Sequence, residues 1–287
     1  MPRPPVSTIA DQLFYSTVHI ESALPAGTST GTGFLVHYTQ ADGFTIPILV
    51  TNKHVLAGAS TVSFTLAGAK GDQPMTTGTR ITVVDFDEYL WFGHTDPRVD
   101  VATMPFAQVL HQMADDGAPA FYRAFPSELL LTNEQADSLD SIESVTFVGY
   151  PNGLFDKASM LPIARRGQTA TPIFNDYEGL PAFLIDASVF PGSSGSPVLI
   201  FDRGSFTTRD GDTHIGSRLH LAGVIAAVHT RKVHGQIEFT STGTASFDDL
   251  IDLGIVYKAS AIQECVDGML SRLGIVIHSA PTASELA

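Results

Sequence analysis

Between residues 18 and 228 the chain is built from short runs rich in Val, Ile, Thr and Phe, most of them closed by Gly, Pro, Asp or Asn. Runs of this composition read as strands, and the residues that close them read as turns. They fall at 18–20, 33–38, 47–51, 61–66, 80–84, 145–149, 182–188, 197–201 and 221–228. Clear helical periodicity is scarce before the C-terminal end. Over 260–273, Ile262, Val266, Met269 and Leu273 recur at helical spacing on one apolar face, with Gly274 placed to cap it. Many short strands and one late helix predict an all-β sandwich or barrel followed by a C-terminal helix.

A chain of 287 residues, 44% of them hydrophobic, can bury a large core without covalent staples. Its one cysteine, Cys265, cannot form an intrachain disulfide, which points to a reducing compartment. On the same composition Cys265 reads as a packed core residue on the helix face. The first residues lack the apolar core of a secretory signal, and no run is long enough for a membrane helix. The expectation is a soluble, cytoplasmic protein. A net charge of −14 argues against a nucleic-acid partner, which needs a concentrated basic surface. Between residues 115 and 143 acids surround a single base, Arg123. Composition reads this stretch as a solvated linker or helix face, and alternatively as a docking surface for a basic partner. A domain boundary is expected inside 106–143.

Three segments carry chemistry. Pro191-Gly192-Ser193-Ser194-Gly195-Ser196-Pro197 presents a serine among glycines, Thr51-Asn52-Lys53-His54 supplies a histidine, and Val99-Asp100-Val101-Ala102 an aspartate. A serine hydroxyl is a weak nucleophile until a base takes its proton. Ser194 would attack a carbonyl, His54 would accept and return the proton, and Asp100 would orient the imidazole and stabilise its cation. The backbone N–H groups of Gly192 and Ser194 would form the oxyanion hole. Asp96 competes with Asp100, but it precedes Pro97 in a turn, whereas Asp100 opens an apolar run. The gaps between the three segments hold several strands each, so the fold must assemble them.

The chain order His, Asp, Ser is that of chymotrypsin-type enzymes. The chain resembles the trypsin/chymotrypsin-like serine protease family, in its bacterial, disulfide-free branch. The resemblance rests on Gly31-Thr32-Gly33-Phe34-Leu35-Val36, the histidine segment, Asp100-Val101-Ala102, Gly149-Tyr150-Pro151, the serine motif, and Gly223-Val224-Ile225-Ala226-Ala227-Val228. It implies two antiparallel six-stranded β-barrels with the site in the cleft between them. Residues 1–125 would carry His54 and Asp100, residues 126–258 the acidic linker and Ser194, and residues 259–287 the C-terminal helix and a flexible tail. The chain departs from the pattern in three places. Ser193 stands where activatable animal proteases carry an aspartate, so the oxyanion loop must be ordered by other contacts. Ala226 stands where a serine often supports the triad aspartate. Lys53, in an uncommon histidine segment, is expected to point outward.

The resemblance also places a substrate pocket at Ser188, Ala226, Ala227, Val228 and His229. Ser188 is not an aspartate, which disfavours cleavage after Lys or Arg. Ala226, Ala227 and Val228 would make apolar walls. His229, with Arg231 and Lys232 behind it, would favour an acidic side chain, although a solvated loop is the plainer reading of those three. His19 and His37 alternate with apolar residues and read as strand-surface side chains. His214, His220, His229 and His234 lack metal-ligand spacing, so neither a metal nor a cofactor is expected.

The expected function is a serine endopeptidase acting on polypeptide substrates through an acyl-enzyme and conditionally activated. Its restraint would come from an activating protein partner, a closed oxyanion loop or narrow specificity. The alternatives are a catalytically silent protease fold that binds peptides, and an esterase-type serine hydrolase. A histidine base predicts activity that rises through the histidine range, centred at ~6.5, to a plateau. A survey of cleavage sites on mixed peptides is expected to find small-to-medium apolar or acidic residues before the cut. Dominant cleavage after Lys or Arg would contradict both preferences.

Overall fold

The computed structural model describes residues 5–39, 43–237 and 243–275, with side chains given outside 227–251. A short helix α1 (Ile9–Leu13) opens the chain with a capping box, in which Thr8 and Asp11 satisfy each other's backbone N–H groups. Strands β1 (Thr17–Leu24), β2 (Gly27–Thr39) and β3 (Thr45–Thr51) lead to a single turn, α2 (Lys53–Leu56). Next come β4 (Thr61–Lys70), β5 (Gln73–Val84), β6 (Phe92–Gly93), β7 (Ala102–Pro105) and helix α3 (Ala107–Asp115). The short strands β8 (Ala120–Phe121) and β9 (Phe125–Pro126) follow, then helix α4 (Asn133–Asp137). The rest is β10 (Ser144–Gly149), β11 (Ile163–Thr169), β12 (Ala182–Asp186), β13 (Pro197–Asp202), β14 (Ser205–Thr207), β15 (Thr213–Ile215), β16 (Arg218–Ile237), β17 (Gly243–Lys258) and helix α5 (Ala259–Leu273).

The first nine strands form one sheet in the order β5-β4-β1-β2-β3-β7-β6, with β8 paired to β4 and β9 to β2. Strands β10-β11-β12-β17-β16-β13 close into a six-stranded barrel. The fold is thus mostly β, with a C-terminal helix. Strands β2 and β3 sit between two cores. Phe34, Val36, Ile48 and Val50 face the core shared with the closed barrel and α5, while Leu35 and Leu49 face the core of the first sheet. Burial on both faces explains the unbroken apolar runs Phe34-Leu35-Val36 and Ile48-Leu49-Val50 in these strands. Phe64 and Phe106 anchor the first core, edge to face at 5.2 Å.

Helix α5 matches the expected span, and Gly274 ends it in the left-handed conformation at φ 68°. Ile262, Cys265, Val266 and Met269 are buried, but Leu273 is 51% exposed and Leu270 takes the core position instead. Helix α3, β11 and β17 were not legible in the sequence. The acidic stretch is also not uniformly solvated. Glu143 is buried, and both its oxygens receive the guanidinium of Arg218, which also reaches Asp202. A buried carboxylate is tolerated here because its lone pairs are taken.

Truncating Phe64 to alanine is expected to cost about 3–5 kcal/mol of stability. Urea unfolding followed by circular dichroism measures it, and a loss below ~1 kcal/mol would mean that the first core is not packed around this ring.

Candidate active site

Strand β3 delivers His54. The chain leaves the strand at Asn52 with extended backbone and enters α2, whose Val55 and Leu56 are buried and hold the turn in place. Asp100 lies on the loop between β6 and β7, fixed by its buried neighbours Val99 and Val101. The two side chains meet. Asp100 Oδ2 lies 2.5 Å from His54 Nδ1, and Asp100 Oδ1 accepts the His54 backbone N–H at 3.1 Å. A carboxylate accepts, so the Nδ1–H of His54 is its donor, and Nε2 is the ring nitrogen left for another partner. Asp96 is occupied elsewhere. It accepts the Arg98 backbone N–H and pairs with the Arg98 guanidinium, and these bonds lower its carboxyl to about 2.

The Asp100 loop is held at three further points. The Asn52 side-chain amide donates to the Asp100 carbonyl at 2.5 Å. Lys53 does not point outward as expected. Its ammonium donates to the Asp96 carbonyl at 2.9 Å, and its stem runs over Gly93. From the closed barrel, the Tyr257 hydroxyl donates to the Arg98 carbonyl at 2.6 Å.

Ser194 sits on the loop between β12 and β13, and the backbone bonds around it alternate. Ser193 N–H reaches Phe190 O, Gly195 N–H reaches Ile225 O and Ser196 N–H reaches Ser193 O. Among the described residues, the N–H groups of Gly192 and Ser194 have no acceptor. The carbonyls across the peptide from these two N–H groups are fixed: Pro191 O accepts from Asn152 N–H and Ser193 O from Ser196 N–H, while Gly192 O accepts from the Thr32 hydroxyl and Ser194 O from Thr32 N–H. Glycine is required at two of these positions. Gly195 has φ 88°, and an added Cβ would lie 1.7 Å from the Thr32 carbonyl oxygen. Gly192 has φ 83°, and its Cβ would lie 2.5 Å from Tyr150 O. The Ser194 hydroxyl itself donates to the Ala226 carbonyl at 3.2 Å.

Of the expected substrate positions, Ala226 is buried under Ser194, and Ser188 is exposed, its carbonyl accepting from the Arg165 guanidinium. The buried member of that stretch is Val189, against Gly254. The side chains of Ala227, Val228 and His229 lie outside the described residues, as does that of His234. Arg165 was not singled out from the sequence. It is half-buried between the rings of Phe147 and Phe190, and desolvation pulls its pKa below the usual arginine range. No pattern in the run Ile-Ala-Arg-Arg-Gly-Gln-Thr marked it. Among the described residues, no group of three or more His, Cys, Asp or Glu side chains is placed to hold a metal ion.

His19 corrects its expected surface placement. It is buried, its ring packs on Tyr150 and Phe155, and its Nε2 has no partner among the described residues. It therefore backs the 150–153 turn that holds Pro191.

The family model of the trypsin-like peptidase domain matches residues 31–206, and the chain belongs to that family. Among solved structures, the HtrA-type protease AlgW with a tripeptide aligns at 15% identity and TM-score 0.50, covering 93% of this chain. This chain spans 64% of the AlgW chain's length. The scabies mite inactivated protease paralogue aligns at 12% identity and TM-score 0.48, over 94% of this chain and 100% of its own. Tobacco etch virus protease with its product aligns at 15% and 0.44, over 80% and 73%. No curated protein matches the sequence. At these identities the structural likeness establishes the fold.

Burial lowers the His19 pKa, Glu21 opposes the shift and Arg80 adds to it. The unfolded chain takes up this proton below about pH 6.5, whereas the folded chain resists until lower pH. The stability contributed by this site is therefore complete above about pH 6.5 and is lost as pH falls through the lowered folded value. Substituting phenylalanine, His19→Phe, keeps the ring packing and is expected to flatten the acid limb of the urea midpoint against pH. An unchanged acid limb would mean that other groups set it.

Proposed function

We propose that the chain is a serine endopeptidase that hydrolyses peptide bonds through an acyl-enzyme on Ser194. The observation that carries this reading is the pair of unsatisfied N–H groups, Gly192 and Ser194, held on either side of Ser193 while the N–H groups of Ser193, Gly195 and Ser196 are bonded. Two backbone donors kept free and rigid next to a serine are what a developing oxyanion needs. The 2.5 Å contact between His54 and Asp100 supports the second part, a base whose tautomer is set by a carboxylate.

In the proposed sequence of events, the Ser194 hydroxyl leaves the Ala226 carbonyl by rotation about its Cα–Cβ bond, between staggered wells. It gives its proton to His54 Nε2 as Oγ bonds the scissile carbon. The carbonyl oxygen, now negative, takes the two N–H groups. The imidazolium, steadied by Asp100, protonates the leaving amine, and a water molecule repeats the steps to release the acid. The half-buried Arg165, next to Ser188, supports an acidic side chain in the residue before the cut. The Ser194 bond to Ala226 supports a resting enzyme that is completed by substrate or by an activating partner. No helix among the described residues is long and apolar enough to cross a membrane.

A fluorescent fluorophosphonate is expected to label the purified protein and neither Ser194→Ala nor His54→Ala. On a peptide substrate, Ser194→Ala is expected to lower turnover by on the order of 10⁶-fold. Asp100→Asn is expected to lower it by on the order of 10⁴-fold. Absence of labelling in a folded parent, with peptide binding retained, would favour the silent binding module.

A further inference from the structure

The two ends of the first sheet do not meet. Strands β5 and β6 are its terminal strands, and neither pairs with the other. Between residues 81–84 of β5 and residues 91–92 lies a groove of about 590 Å³. Its floor includes Met104 and Val109, and helix α5 closes one end with Met269, Arg272 and Leu273. The volume falls in the range of a ligand site, about 300–1,000 Å³. The rim is unusually apolar for solvent: Val84 is 66% exposed, Tyr89 75% and Leu273 51%.

Three observations define what would fit. First, residues 81–84 are an open sheet edge. Among the described residues, their backbone makes no hydrogen bond outside the ladder with β4, so alternate N–H and C=O groups face the groove. The edge sequence Ile-Thr-Val-Val has no charge or proline to block an added strand. Second, Ile81 and Val83 are half-buried on one face while Thr82 and Val84 are exposed on the other, so the edge presents apolar side chains beside its free backbone groups. Third, Arg272 is the one charged residue lining the groove. Its guanidinium lies 6.0 Å from the centre of the Tyr89 ring, and no carboxylate pairs with it among the described residues. In a chain of net charge −14, this exposed cation at the mouth of an apolar groove is the complementary charge for an incoming carboxylate.

We propose that this seam is a docking site for an extended segment of a partner protein, added as a strand along β5. Its alternate apolar side chains would enter the groove and one of its carboxylates would pair with Arg272. Strand addition draws affinity from main-chain hydrogen bonds and specificity from every second side chain. Four residues of edge span ~13 Å, enough for two inward side chains. The inference does not depend on the serine chemistry at Ser194.

The chain carries its own reporter, since Trp91 lines the groove and is the only tryptophan. The test uses the full chain as Ser194→Ala, so that peptides are not cut, and follows Trp91 fluorescence. The probes are a capped hexapeptide alternating threonine and valine and ending in glutamate, its counterpart ending in lysine, and the glutamate peptide N-methylated at alternate residues. The glutamate peptide is expected to bind saturably, about 10-fold more tightly than the lysine peptide. Arg272→Glu should reverse that order, and N-methylation should abolish binding. The proposal is overturned by no saturable binding at millimolar peptide, by equal affinity for the two charged peptides, or by indifference to N-methylation. A Trp91 signal that changes with protein concentration alone would overturn it by placing a second copy in the seam. Tighter peptide binding by a chain ending at Ile275 would overturn it by placing the chain's own tail there.

Discussion

One residue of the first sheet holds the serine loop in shape. Thr32, fully buried on β2, donates its N–H to Ser194 O and its hydroxyl to Gly192 O. The same hydroxyl accepts from Tyr150 N–H, and the Thr32 carbonyl accepts from the Thr51 hydroxyl. Each of these groups would be costly to leave unpaired in a site from which water is excluded. The Thr32 bonds fix the peptide planes that carry Ser193 N–H and Gly195 N–H, while the planes that carry the free Gly192 and Ser194 N–H groups are fixed through Pro191 O, which accepts from Asn152 N–H, and Ser193 O, which accepts from Ser196 N–H. Gly195 is the steric counterpart, since only a residue without Cβ lets the loop approach Thr32 this closely.

That constraint answers a question left by the sequence. The proposed oxyanion loop has no aspartate before its serine and needs another source of order. Here it comes from Thr32 on one side, the 150–153 turn on a second and Ile225 on a third, and Ser193 is buried among them. The Asp100 loop follows the same logic. Alanine stands at 226, and the polar support comes from Asn52, Lys53 and Tyr257, which bind backbone carbonyls of the loop rather than the carboxylate itself. Orienting an acid through its backbone leaves both carboxylate oxygens for His54.

Much of the architecture was legible because strands buried on one or two faces leave a direct imprint of composition and punctuation. Nine expected runs all lie within or overlap observed strands, and α5 spans its expected residues to within one position. The unread elements have physical reasons. Strand β11 carries arginines and glycine on a partly exposed barrel face, and β17 is rich in aspartate, so neither offers an apolar alternation. Leu273 broke the helix reading because its face meets an open seam where a core was expected. His19 was misread because strand alternation gives the face of a side chain and not what covers that face.

The sequence alone settled the strand-rich class, the C-terminal helix with its glycine cap, and three short segments of unusual composition around His54, Asp100 and Ser194. Those are local properties, set by side-chain volume, backbone freedom at glycine and the spacing of apolar residues. Tertiary structure decided which aspartate meets the histidine, where the serine hydroxyl rests, and which loop N–H groups stay free. It also decided that Arg165 lies beside Ser188 and that the first sheet ends in an open seam. Each of these depends on contacts between residues far apart in the chain, and hydrogen bonds at such separations leave no period in the sequence.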